Sequence, residues 1–354
     1  MITPQACLGQ PPGWRKEFAD SITDPAELLE ILALDPSLLA DAKRAASHFP
    51  LRVPRCFVAR MAKGDIDDPL LKQVLPLRVE LEKKPGYGLD PVGDLPAKQA
   101  RGVLQKYTGR VLLIASGACA VNCRYCFRRE FPYPVNISAS GAWEKAVELI
   151  AADSGISEVI LSGGDPLTLG NTHLRKLTDQ LERIDHVRSL RIHSRLPVVL
   201  PSRVDSGFLR WLEDSKLQRI LVIHANHANE IDQAVVEACH RLRDSGSAVF
   251  NQSVLLKGVN DNPAALIDLS QAAFSAGVIP YYLHMLDRIR GTSHFEVTER
   301  RAIEIMTSVA EQLPGYLVPK LVREEAGALF KLPIQGIGFA QDVHQVAEHD
   351  VEPL

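Results

Sequence analysis

Six short runs rich in β-branched residues recur between positions 110 and 284. Each is separated from the next by a stretch whose apolar residues follow helical spacing. This alternation constrains the fold more than any other feature of the chain. The strand-like runs are 110–115, 158–162, 189–193, 219–224, 248–255 and 279–284; the helical stretches are 142–152, 173–183, 206–213, 230–244 and 263–276. Parallel strands cannot be joined by a tight turn and need a crossover, most often a helix, so the pattern reads as βαβ units building a parallel sheet. About six such units suit either a barrel or a doubly wound sheet, and in both the ligands gather at the C-terminal ends of the strands. Local chemistry agrees: Asn262 can cap a helix that Pro263 begins, and Gly277 can end it.

The flanks differ. Residues 1–95 read as helical and irregular, with helices over 26–34 and 38–47, prolines at 50, 54, 69 and 76, and a loop from Pro85 to Asp94. After residue 297, a helix over 299–312 and a strand over 316–322 lead to Lys331-Leu332-Pro333 and a polar tail. The expected organisation is an N-terminal helical region (1–95), an α/β core (96–297) and a C-terminal segment (298–354). The net charge of −3 and the lack of basic stripes argue against nucleic acid as a partner. No apolar run approaches the ~20 residues that span a bilayer, and the first 16 residues lack the pattern of a secretory signal, so the expected location is cytoplasmic.

Six cysteines in 354 residues are too few for a disulfide scaffold. Cys7, Cys56 and Cys239 are scattered and read as small apolar side chains. Cys119, Cys123 and Cys126 fall within eight consecutive residues, directly after the first strand-like run. Thiolates hold zinc and iron–sulfur clusters alike. A structural zinc site wants four ligands, as does an electron-carrying cluster. Three thiolates on a four-iron cluster leave one iron open to a small molecule. A zinc site with a distant fourth ligand is the alternative.

This spacing, with Tyr125 before the last cysteine, resembles the radical S-adenosylmethionine (SAM) superfamily, which implies a partial (β/α)6 TIM-like barrel, a [4Fe–4S] cluster and SAM. Gly163-Gly164-Asp165-Pro166, after the second strand-like run, resembles the superfamily's glycine-rich segment beside the SAM amino group. Further strings resemble lysine 2,3-aminomutases: residues 126–131 (Cys-Phe-Arg-Arg-Glu-Phe), 192–199 (Ile-His-Ser-Arg-Leu-Pro-Val-Val), 224–230 (His-Ala-Asn-His-Ala-Asn-Glu) and 251–261, which begins Asn-Gln-Ser. The resemblance covers about residues 60–335. It implies an isomerase that uses SAM, the cluster and pyridoxal 5′-phosphate (PLP) to move the amino group of L-lysine from Cα to Cβ, giving β-lysine in the R form. Aminomutation of another amino acid, β-lysine made for metabolism, and a non-catalytic iron–sulfur or zinc protein are the other readings.

Carried over by position, the resemblance implies that Lys331 forms the PLP Schiff base, that Tyr107 and Arg110 contact PLP, and that Arg128 pairs with the substrate carboxylate. It implies that Asp287 and Glu324 hold the ε-ammonium, and that Arg195, His224 and, more weakly, Gln252 contact SAM. Lys106 stands where the family has an arginine, and the family's glycine-rich run before the lysine is reduced to Ala326-Gly-Ala-Leu-Phe330. Longer members place a cysteine just after the Asn-Asp pair and join it to three C-terminal cysteines on a structural zinc. Here that position is Asn262 and no cysteine follows Cys239, so no such zinc is expected. The short form resembles members that supply β-lysine for the modification of elongation factor P by its lysyl ligase. A flavodoxin or ferredoxin would serve as reductant.

Overall fold

The computed structural model describes residues 13–136 and 143–334. Ten strands form one sheet whose spatial order follows the sequence from β1 to β10. They are β1 (Lys98–Ala100), β2 (Val103–Leu104), β3 (Arg110–Ser116), β4 (Glu158–Gly163), β5 (Ser189–Ser194), β6 (Gln218–Ile223), β7 (Ala248–Val254), β8 (Ile279–His284), β9 (Lys320–Arg323) and β10 (Leu332–Pro333). From β3 to β9 every neighbouring pair is parallel, whereas β1, β2 and β10 add antiparallel edges. The strictly sequential order excludes a doubly wound sheet, in which the order reverses part-way. The sheet does not close on itself, so the fold is a partial TIM-like barrel.

The helices behave as the sequence predicts, with small shifts. Asn262 accepts the Ala265 amide and caps helix Pro263–Ser275, and Gly277 follows it with φ +76°. Asp232 caps Gln233–Asp244, so the helix expected from 230 starts three residues later; Ala228–Glu230 forms a 3-10 turn instead. The strand expected over 316–322 begins only at Lys320, because Gly315–Leu317 turns as a 3-10 helix after Pro314. The helix expected from 142 runs over Glu144–Ala152. Residue 142, Cys7 and the tail beyond 334 lie outside the described residues. Short strands β1 and β2 are additions to the sequence reading.

In the N-terminal part, Asp24 caps Pro25–Ile31 through the Ala26 amide. Leu28, Phe57 and Leu71 from this part share one apolar cluster with Val111, Leu161, Ile192 and Leu221 of the strands. Burial of each such side chain is worth about 1.5–3 kcal/mol, so the N-terminal helices are fastened to the outside of the sheet by ordinary core packing. Helix Glu299–Gln312 crosses from β8 to β9 and buries Ala302, Ile305 and Val309 in a second cluster with Leu283 and Leu321. Among the described residues no helix is long and apolar enough to cross a membrane.

Candidate active site

A cavity of about 630 Å³ opens at the C-terminal ends of the parallel strands. Each strand delivers a polar group to it: Cys119 follows β3, Gly163 ends β4, Arg195 follows β5, His224 follows β6, Gln252 lies on β7, His284 ends β8 and Glu324 follows β9. Every site residue singled out in the sequence lines this one cavity, as does Lys106.

The cysteine loop is held from behind. Arg124 is fully buried and pairs with both oxygens of Glu80 at 2.9 and 2.6 Å; Arg129 donates to the same carboxylate at 2.8 Å. The Arg124 amide donates to Gln73 O, and the Asn122 amide to Arg52 O. Among the described residues no three His, Cys, Asp or Glu side chains close around a single-ion site. Three thiols lining one cavity suit a four-iron cube, whose cysteines bind separate irons. Burial pushes the Cys126 thiol up to about 11 and raises Cys119 as well, so iron must displace these protons on binding.

The glycine pair is explained by backbone contact. Gly163 has φ +122°, and a Cβ there would collide with the Ser116 carbonyl; one on Gly164 would lie 2.5 Å from the Ala118 carbonyl. The pair lets the β4 loop lie against Ser116–Ala118, immediately before Cys119. Asp165 acts as a strut. Its carboxylate accepts from the amides of Leu167, Arg195 and Leu196 and from the Ser194 hydroxyl, tying the β4 and β5 loops together. Burial nonetheless lifts its carboxyl to about 6 against those hydrogen bonds. Arg195 is buried and donates to Gln73, Glu230, Tyr125 and the Cys123 sulfur. Asn226 joins the same network through Tyr125 and Gln73.

Across the cavity lies a chain of alternating charges. Arg128 donates from Nε to Asp94 at 2.6 Å and from Nη1 to Ser162 at 3.0 Å. Asp94, 1% exposed, also pairs with Lys106 at 2.6 Å. Lys106 donates hydrogen bonds to Val92 O (2.9 Å) and Glu324 (2.8 Å). Glu324 then accepts from Lys331. Burial would raise the Glu324 carboxyl, but Lys331 and Lys106 outweigh it and bring it down to about 2. Asp287 has no such pairing among the described residues, and burial, with Glu324 adding repulsion, pushes it up to about 7. The short β9–β10 pairing, Leu332 to Arg323 and Pro333 to Val322, folds Lys331 back beside Glu324. Arg110 stacks its guanidinium over the Tyr107 ring at 5.5 Å.

Several cavity residues were not singled out by sequence reasoning. Asp94 carried no signal beyond its place in a loop. His193, facing His224 at 3.4 Å, sat inside one of the quoted strings, but its partner is set by β5–β6 pairing. His284 is buried, and its Nε2 has no hydrogen-bond partner among the described residues. Burial is the main reason that His193 and His284 lie well below 6.5 and His224 near 3, so all three rings are neutral at physiological pH.

Comparison with known proteins bears on this geometry. Residues 113–269, from within β3 into the helix before β8, match the family model of the radical SAM superfamily. The chain is 47% identical to the L-lysine 2,3-aminomutase of Escherichia coli (strain K12), over 91% of this chain and 94% of that one. The chain belongs to the lysine 2,3-aminomutase family. The Haemophilus influenzae L-lysine 2,3-aminomutase is 44% identical over 89% of this chain and 93% of its own. That of Clostridium subterminale is 31% identical over 91% of this chain but 77% of its own length. This aminomutase-family member is therefore a radical SAM isomerase, and the superfamily carries a [4Fe–4S] cluster and SAM. The donor set fits both groups: three thiols on one loop for three irons, and a glycine-lined wall beside them.

Proposed function

We propose that this protein is a lysine 2,3-aminomutase that uses PLP as well as SAM and converts L-lysine to β-lysine in the R form. The observation that carries this reading is that three thiols, Lys331, Arg128 and the acids Asp287 and Glu324 line a single cavity. The chemistry is supplied by the bound groups: cluster and SAM provide a hydrogen-abstracting radical, and PLP provides the π-system across which nitrogen migrates. The chain's own residues bind, orient and keep the site dry.

Cys119, Cys123 and Cys126 hold three irons and leave the fourth to SAM. The Gly163–Asp165 loop, Arg195, His224 and Gln252 form the wall on the SAM side. Lys331 would hold PLP, with Tyr107 and Arg110 as further contacts and Arg110 suited to its phosphate. Arg128 receives the substrate α-carboxylate; Nη2 donates to none of the described residues, so the far end of its fork is available for a bidentate pair. Asp287 and Glu324 receive the ε-ammonium. Glu324 already accepts from two ammonium groups, and a third cation beside Asp287 would release its proton and restore the carboxylate. A guanidinium facing two acids selects a dibasic amino acid and repels an acidic side chain.

The match spans 94% of the E. coli relative and 93% of the H. influenzae relative. The position where longer members carry a zinc-binding cysteine is here Asn262, whose side chain caps a helix. We therefore assign its β-lysine to the modification of elongation factor P through the lysyl ligase, with flavodoxin or ferredoxin as electron donor and the cytoplasm as its place. In this reading residues 1–95 form a helical region, 96–297 the barrel core and 298–354 the segment carrying Lys331. The test is anaerobic incubation with L-lysine, SAM, PLP and dithionite, with NMR of the product. Nitrogen on Cβ supports the reading, and unchanged lysine beside cleaved SAM refutes it. Loss of the β-lysyl mass increment on elongation factor P in a deletion strain tests the physiological part.

A further inference from the structure

Asp94 has features that its place in a surface-facing loop did not foreshadow. It is one of the most buried carboxylates in the protein, and its two oxygens serve different partners: Oδ2 takes Nε of Arg128, Oδ1 takes Lys106. Its own position is rigid. The Asp90 carboxylate accepts from the Asp94 and Leu95 amides at 2.8 and 2.9 Å, and Gly93 N donates to Asp90 O. Gly93 (φ +68°) lies so close to Ala326 that an added Cβ would sit 2.9 Å from the Ala326 methyl. The loop is thereby pressed against the turn that leads from Glu324 to Lys331.

The consequence concerns which edge of a guanidinium is free. Arg128 can pair bidentately with a carboxylate through its Nε/Nη edge or through its Nη1/Nη2 end. Asp94 occupies the first, and Phe127 covers the ring-facing side at 4.8 Å. What is left for a ligand is the end of the fork, where Nη2 has no partner among the described residues and Nη1 has one N–H besides that given to Ser162. The same carboxylate, through Lys106, fixes Glu324.

We infer that Asp94 is a positioning residue that fixes the direction in which Arg128 presents its fork, and so sets the distance from the α-carboxylate clamp to the acids that take the distal ammonium. This rests on the lysine reading above. It makes Asp94 a determinant of how the carboxylate end is held, while at the distal end Glu324 keeps its own pairing with Lys331.

The test is equilibrium binding to the holoenzyme, loaded anaerobically with cluster, SAM and PLP but given no reductant, so that nothing turns over. Two ligands are titrated: L-lysine, and 1,5-diaminopentane, which keeps both amines and lacks the carboxylate. In Asp94→Asn, lysine affinity should fall about tenfold or more, while the diamine keeps its affinity to within about twofold. Asp94→Glu, which keeps the charge and moves it by one methylene, should show the same selective loss in smaller measure. It replaces the asparagine variant if that one fails to fold. Equal weakening of both ligands, or no weakening of either, overturns the inference. Failure of the unsubstituted holoenzyme to bind lysine would instead overturn the lysine reading itself.

Discussion

At one end of the cavity, three thiols come from eight consecutive residues in a single loop, held from behind by Glu80, Gln73 and the backbone of Arg52. At the other, the charged groups arrive from five separate places: Asp94 before the sheet, Lys106 between β2 and β3, Arg128 beyond the cysteines, Asp287 after β8, and Glu324 and Lys331 around the β9–β10 turn. The first end is a local construction supported by a buried network. The second exists only because the two edges of an open sheet come close enough for Lys106 to reach Glu324. A motif on one loop can be recognised by spacing. A charge chain across a seam cannot, and its members answer to one another electrostatically.

The two ends should therefore fail separately. The largest effect is expected from Cys126→Ala, which removes an iron ligand. Iron and sulfide content should drop, SAM cleavage should fall to background, and PLP absorbance should remain. Lys331→Ala is the mirror case: aminomutase turnover lost to the detection limit and the PLP imine absorbance gone, with the cluster's EPR signal on reduction retained. If either variant abolished both signatures, the ends would not be independent.

Asp287→Asn should raise KM for lysine by a factor of about 30 or more, the equivalent of ~2 kcal/mol or above for unpairing a buried ammonium, with cluster and PLP intact. The pH dependence sharpens this. Asp287 is raised to about 7, so below that pH it is protonated and neutral, and above it the carboxylate can hold an ammonium. In the unchanged protein kcat/KM for lysine should rise through pH 7 and then level, and Asp287→Asn should flatten the rise. Stability of the unliganded protein runs the opposite way: an acid with a raised pKa opposes folding once ionised, so that contribution falls as pH rises towards 7, whereas lysine, which pairs with the carboxylate form, should raise Tm more at pH 8 than at pH 6. The smallest effect on chemistry is expected from Glu80→Gln, which leaves Arg124 and Arg129 buried without a full counter-charge. It should cost about 3–5 kcal/mol of stability, read by denaturant unfolding, while lysine KM in the reconstituted protein stays within about twofold.

Much of the fold was legible in the sequence because its signals are local. Strand and helix periods, the Asn262 cap and the thiol spacing all arise within a few residues. The shifted start of β9 shows the limit: the mostly apolar run 316–322 looks like one strand, but the turn after Pro314 and pairing with β8 choose where it begins. The glycine pair was legible as a place of close approach, while its partner, the backbone before Cys119, was not.

The chain's sequence alone determined a parallel α/β sheet and a three-thiol loop at the end of its first parallel strand, because hydrophobic periodicity and ligand spacing are properties of short segments. Only the tertiary structure decided that the strands run in unbroken order without closing, that Asp165 braces two loops, and that Asp94 couples Arg128 to Glu324 through Lys106. Those are contacts between residues tens to hundreds of positions apart. Their strength comes from burial and charge, which exist only once the chain has folded.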